Sequence, residues 1–229
     1  MTAQMIEYTD RETQAAELAR MVAGDLDAAL KAKGKATLAV PGGTTPGPFL
    51  TALSNADIDW ANVTVMLTDE RFVPETSDRS NTRLIRETLL QNKASAASFV
   101  PFYKEALLPE HVMDQLIGDV ERALPLDVCV LGMGEDMHTA SLFPGADRLN
   151  EALDAAAEAL YPMRAPGAPE TRMTLSAPVL RDAPEIHLLI NGEGKRVALN
   201  RAQQEGYWSD APVRAVLTAP GRVMVHFTA

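Results

Sequence analysis

The stretch Ala36-Thr37-Leu38-Ala39-Val40-Pro41-Gly42-Gly43-Thr44-Thr45-Pro46-Gly47-Pro48-Phe49-Leu50-Thr51-Ala52-Leu53 decides the fold. Ala36 to Val40 is a short apolar run of the kind that forms a buried strand, the Pro and Gly cluster after it is a tight turn, and Phe49 to Leu53 returns to an apolar helical segment. The same strand, loop and helix order recurs downstream. Val63 to Thr68 reads as a strand, Asp69 to Ser80 as a loop, and Asn81 to Leu90 as a helix capped by Ser80 or Asn81. A third unit begins near Phe99, with a helix over Leu108 to Leu124, a strand over Asp127 to Leu131 and a polar, glycine-rich loop from Gly132 to Gly145 leading into another helix. Upstream, Thr9 and Glu12 fit a capping box, and Ala15, Leu18, Ala19, Val22, Leu26, Ala29 and Leu30 follow at helical spacing. Tyr161 to Pro169, with three prolines and one glycine, reads as an extended crossing. Beyond it, Met173 to Leu175, Ile186 to Ile190 and Val223 to Phe227 read as strands, and Ala177 to Arg181 and Gly194 to Gln204 as helices. Strands alternating with helices indicate an α/β protein whose parallel sheet is covered on both faces.

The 229 residues are most economically one domain, 1–229, and 46% hydrophobic with 23% charged residues is an ordinary globular composition. A formal net charge of −10 argues against a nucleic-acid or anionic-membrane surface, while leaving room for a phosphorylated metabolite held by a few local cations. Cys129, the single cysteine, sits in an apolar run and reads as a buried filler. With no basic start before an apolar core and no run of membrane-spanning length, the expectation is a soluble cytoplasmic protein, a monomer or small homo-oligomer.

In a parallel sheet, chemistry concentrates in loops at the carboxyl ends of strands. Gly42 to Pro46 offers free backbone amides, two hydroxyls and a following helix N-terminus, which are the ingredients of a phosphate cradle and equally of a plain glycine turn. Asp69-Glu70-Arg71 places two acids and a guanidinium after an apolar strand, suited to acid-base work or to gripping a sugar, or to a solvated ion-pair turn. The loop Gly132-Met133-Gly134-Glu135-Asp136-Met137-His138 lacks the third glycine of a dinucleotide fingerprint. It delivers Asp136 and His138 two positions apart, a histidine for proton transfer with a carboxylate to fix its tautomer. Arg172 and Lys195 follow turn-forming residues and could each hold a phosphate dianion. His111, His187 and His226 read as structural or solvent-facing. Zinc spacing, a Walker loop and a nucleophile elbow are all absent from the sequence.

Taken in order, PGGTTP, TDERFVPETSDRSN, LGMGEDMHTASLFPG, ETRMTLS and NGEGK resemble the bacterial 6-phosphogluconolactonases of the family related to glucosamine-6-phosphate deaminase, over roughly Ala39 to Lys195. The resemblance implies a three-layer α/β/α sandwich with a mostly parallel, doubly wound sheet. It also implies a hydrolase without cofactor or metal that acts on a phosphorylated sugar lactone in the pentose phosphate or Entner-Doudoroff route. By the resemblance, His138, Asp69 and Asp136 are the catalytic set. Gly42, Gly43, Thr44, Thr45, Glu70, Arg71, Ser80, Asn81, Gly132, Gly134, Arg172 and Lys195 would bind substrate, and backbone amides of 132–138 or Arg71 would serve the oxyanion. Thr44 stands where the family usually has Ser and keeps the hydroxyl. Met137 stands where glycine is common, so a loop needing positive φ there would hold Met137 under strain. Two other readings remain open. A deaminase or isomerase on the same scaffold would be expected to end the histidine loop in Asn-Glu-Pro, where this chain has Ser141-Leu142-Phe143-Pro144. A sugar-phosphate sensor domain would be expected to come with a basic helix-turn-helix.

Overall fold

The structure is a computed structural model that describes residues 3–229. Seven parallel strands form the main sheet: β1 (Gln4–Glu7), β2 (Ala36–Val40), β3 (Val63–Leu67), β5 (Ser98–Val100), β6 (Val128–Gly132), β9 (Glu185–Asn191) and β10 (Arg222–Thr228). Their spatial order is β1-β10-β9-β6-β2-β3-β5. The chain therefore winds outward from β2 through β3 to β5, then returns to the other side of β2 and winds from β6 through β9 to β10. Every residue of β2 is buried, which a parallel strand achieves only with cover on both faces. The covering helices are α1 (Arg11–Lys33), α2 (Gly47–Leu53), α3 (Asn81–Thr88), α4 (Met113–Ala123), α5 (Leu149–Leu153), α6 (Ala177–Arg181), α7 (Glu193–Ala202) and α8 (Val213–Leu217). The doubly wound α/β architecture is as expected.

Local departures have local causes. Asp10, not Thr9, caps α1: Oδ1 of Asp10 accepts from the Thr13 amide at 2.8 Å, while the Thr9 hydroxyl donates to Asp10. The helix ends at Gly34, whose φ of 73° closes it without strain. Asp69 to Ser80 is not wholly loop, and Tyr161 to Pro169 is not wholly a crossing. β4 (Asp69–Arg71), β8 (Arg172–Leu175) and β7 (Leu160–Met163) form a separate three-stranded antiparallel sheet in the order β4-β8-β7. Three polar residues carry no strand periodicity, and β7 lies at the edge of its sheet, where Pro162 is tolerated. β1 is a mostly exposed edge strand and gave no apolar signal.

His187 and His226, both fully buried, form one polar seam beneath α1. The Tyr8 hydroxyl meets His226 Nδ1 at 2.7 Å, His226 Nε2 meets His187 Nδ1 at 2.9 Å, and His187 Nε2 meets Asp25 Oδ2 at 2.9 Å. Arg222 donates to Asp25 Oδ1 at 2.7 Å and also pairs with Glu185. Burial, followed by the neighbouring His187 and Arg222, drives the His226 imidazole from 6.5 down to about 3. The folded state thus keeps His226 neutral while the unfolded chain takes up a proton below pH 6.5. The stability this contributes is intact above that pH and is lost as pH falls toward 3. Going from near pH 7.5 to near pH 5, the wild type should lose about 2 kcal/mol more than a His226→Gln variant in urea unfolding. Equal losses would show that His226 does not carry the acid sensitivity.

Candidate active site

The reversal of winding between β2 and β6 leaves a crevice at their carboxyl ends, the position where open parallel sheets bind ligands. The loops after both strands line a cavity of about 340 Å³ there. Its walls include Gly42, Gly43, Thr44 and Thr45 after β2, Asp69 and Arg71 of β4, Asn81 of α3, Gly132 at the end of β6, Gly134 and His138 after it, Arg172 of β8 and Lys195 of α7. Twelve of the fifteen residues singled out in the sequence therefore meet around one cavity. Asp136, Glu70 and Ser80 do not line it.

Glu70 and Ser80 are corrections to the expected substrate-binding set. Glu70 is completely buried, and its carboxylate accepts from the Arg71 and Asn81 amides, each at 2.7 Å, from the Thr82 amide at 2.7 Å and from the Ser80 hydroxyl at 3.1 Å. An anion at a helix N-terminus satisfies donors that the helix itself cannot. Desolvation raises the Glu70 carboxyl above its ordinary range, and the backbone hydrogen bonds from Asn81 and Thr82 oppose that rise. Ser80 caps α3 and is spent in the same network. The network aims Asn81: its amide donates to the Asp69 carbonyl at 2.8 Å and lies so near Gly42 that a Cβ there would fall 2.0 Å from Asn81 Cγ. Gly42 is thus required by close approach, whereas Gly43 is required by a φ of 90°.

The loop after β6 is folded tightly on itself. The Met137 amide donates to the Gly134 carbonyl, the Gly134 amide to the His138 carbonyl, each at 3.0 Å, and the Thr139 hydroxyl to the Gly132 carbonyl at 2.8 Å. Met137 does adopt positive φ, at 66°. Its side chain is buried, and its carbonyl accepts from the Val213 amide of α8 at 3.1 Å, so packing holds a conformation that methionine alone disfavours. Gly134 has no room for a side chain: a Cβ would lie 2.3 Å from both Asp136 Oδ1 and His138 Nδ1. Over that glycine, Asp136 Oδ1 and His138 Nδ1 approach to 2.5 Å. This hydrogen bond is the main cause holding the Asp136 carboxyl below the usual range. With Nδ1 engaged, Nε2 is the nitrogen left to act. Phe143, a wall residue not singled out in the sequence, packs its ring 4.3 Å from the His138 ring and lies under the Arg172 guanidinium at 5.9 Å. An apolar residue in a loop resembles core filling until the fold places it.

Arg172 is lowered first by burial and then by the nearby Arg71, and Lys195 is lowered by burial. The Nε atoms of Arg71 and Arg172 are both buried without a hydrogen-bond partner among the described residues. Buried donors left unmatched within the protein are costly unless something else matches them, and an anion would match both.

The model of the family described as glucosamine-6-phosphate isomerases/6-phosphogluconolactonase matches residues 9–225. The chain belongs to this family. A 6-phosphogluconolactonase of Mesorhizobium japonicum is 47% identical over 227 residues, 97% of this chain and 93% of that protein. One from Rhizobium meliloti is 44% identical over 219 residues, covering 95% and 94%. The crystal structure of a 6-phosphogluconolactonase from Shewanella baltica superposes with a TM-score of 0.96 at 35% identity, covering 99% of this chain and 98% of that one.

Removing the Glu70 carboxylate should cost stability in this family member. Glu70→Ala leaves buried amides without an acceptor and should lower stability by about 3 kcal/mol, a fall in thermal midpoint of roughly 6 to 12 °C. An unchanged midpoint would mean the carboxylate is free for substrate after all.

Proposed function

We propose that this chain hydrolyses 6-phospho-D-glucono-1,5-lactone to 6-phospho-D-gluconate, with His138 as general base and then general acid. The observation that carries this reading is one cavity in which an Asp136-bound imidazole faces guanidiniums whose buried donors lack partners. His138 Nε2 takes a proton from water as the water oxygen bonds to the lactone C1. The carbonyl oxygen becomes an oxyanion, the bond from C1 to the ring oxygen then breaks, and the ring oxygen receives the proton from Nε2. Asp136 stabilises the intervening imidazolium through Nδ1. The Gly134, Met137 and His138 amides are consumed within the loop. That leaves Arg71 and the amide of the wall residue Met133 as candidate oxyanion donors. Thr44, Thr45, Arg172 and Lys195 line this cavity and are suited to a phosphate dianion, and Asp69, the one carboxylate in the wall, suits the sugar hydroxyls or the attacking water.

His138→Ala should lower kcat for freshly generated lactone by about 10² to 10⁴ with KM little changed, read above the spontaneous rate. A variant retaining near-wild-type kcat would remove His138 from the mechanism. Arg172→Ala and Lys195→Ala should each raise KM for the phosphorylated lactone by at least about tenfold, the loss of a charge-assisted contact. Unphosphorylated gluconolactone should show less than about a twofold change, within the tenths of a kcal/mol by which untouched sites vary. Equal effects on both lactones would move the phosphate elsewhere.

A further inference from the structure

Asp69 occupies an unusual electrostatic position. In the β4–β8 ladder Asp69 stands opposite Thr174, and two residues along Arg71 stands opposite Arg172. Like charges directly across a ladder repel, and a carboxylate at the diagonal position lies within reach of long side chains on both strands. Asp69 acts electrostatically on Arg172. Left free, it would be drawn into an ion pair with one or both guanidiniums. Among the described residues, no such pair forms within 4.0 Å.

What holds Asp69 instead is a pair of hydroxyls: Thr68 donates to Oδ1 at 3.4 Å, and the shorter contact comes from Ser141, a completely buried residue on the loop after β6. Its hydroxyl donates to Asp69 Oδ2 at 2.6 Å, the short distance of a hydrogen bond to an ionised acceptor. Ser141 is itself held: its amide donates to the Thr174 hydroxyl at 3.2 Å, which in turn donates to the Leu175 carbonyl at 3.1 Å. Since Thr174 is the ladder partner of Asp69, the contacts close into a triangle spanning β4, β8 and the catalytic-histidine loop.

We infer that Ser141 is a positioning residue that keeps the Asp69 carboxylate out of an ion pair with Arg71 and Arg172, so that both cations stay available to the anionic substrate and Asp69 stays turned to the reacting end. The inference rests on the lactonase reading for its substrate, but not for its test. Without the hydroxyl, Asp69 competes with the ligand for the guanidiniums.

The experiment is a binding cycle by titration calorimetry with 6-phosphogluconate, and with inorganic phosphate in parallel, on the wild type, Ser141→Ala, Asp69→Asn and the double variant. Ser141→Ala should weaken 6-phosphogluconate binding about tenfold, the value of one charge-assisted hydrogen bond. Asp69→Asn should bind inorganic phosphate, which has no sugar hydroxyls for Asp69 to hold, at least as tightly as the wild type. Adding Ser141→Ala to Asp69→Asn should then change nothing beyond about twofold, within the additivity of independent sites. A serine that merely supports the fold would weaken both backgrounds alike and in step with the thermal midpoint, and that result overturns the inference, as does tight binding by a folded Ser141→Ala. If Ser141→Ala does not fold, Ser141→Cys, similar in size and a weak donor, carries the same cycle with the same signs. A wild type that binds 6-phosphogluconate or phosphate but does not speed lactone loss would overturn the hydrolase reading and leave the cycle to decide Ser141.

Discussion

The constraint on which the rest depends is the reversal of winding between β2 and β6. Parallel neighbours joined by crossovers send successive connections to one side of the starting strand, so a crevice opens only where the direction of travel changes. Here it opens between Pro41-Gly42 and Gly132-Met133, and residues from the two halves of the chain face each other across it. The glycines on each lip have separate reasons to be glycine. Gly42 yields space to Asn81, and Gly134 yields it to the Asp136–His138 pair. Side chains thus fill the volume that a Cβ would take, Asn81 of α3 at one lip and Asp136 with His138 at the other.

Charge is sorted around this crevice by burial. A chain with a net charge of −10 gathers Arg71, Arg172 and Lys195 about one cavity. Three acids near them are occupied elsewhere: Glu70 by the N-terminus of α3, Asp136 by His138 and Asp69 by Ser141. A carboxylate free to pair with a guanidinium would have taken one of the cavity's three cations away from an anionic ligand. Local anion affinity in an acidic protein is thus a consequence of where the hydrogen bonds to its carboxylates go.

The strands of the main sheet were legible because buried parallel strands are apolar runs, and Ala36–Val40 and Val128–Gly132 differ from their sequence readings by no more than a residue at either end. Of the small antiparallel sheet only β8 was legible, as Met173 to Leu175; Asp69–Arg71 is polar and carries no strand periodicity, and its pairing with Arg172–Leu175 spans a separation that no local pattern encodes. The candidate site shows the same division. Residue types such as His138 and Arg172 point to chemistry by themselves, and the order of motifs added the rest. Glu70 could not be told from a substrate ligand, since a carboxylate beside an arginine looks alike whether it faces solvent, ligand or a helix end. Ser141 and Phe143 stood within a quoted motif, but their partners Asp69 and Arg172 come from other elements.

Met137 shows how such a site tolerates a residue that local preference opposes. A non-glycine residue at φ of 66° costs on the order of 1 kcal/mol or more. That cost is offset by burying the methionine side chain, worth roughly 1.5 to 3 kcal/mol when complete, and by the hydrogen bond that its carbonyl accepts from Val213. Glycine at this position would relieve the backbone but surrender the packing and widen the loop's freedom before folding. The strained residue thus couples His138 to α8, an element that contributes no side chain to the cavity wall. The geometry of the imidazole depends on core packing behind it as much as on the carboxylate in front, and a loop that looks self-contained in sequence is anchored at two points.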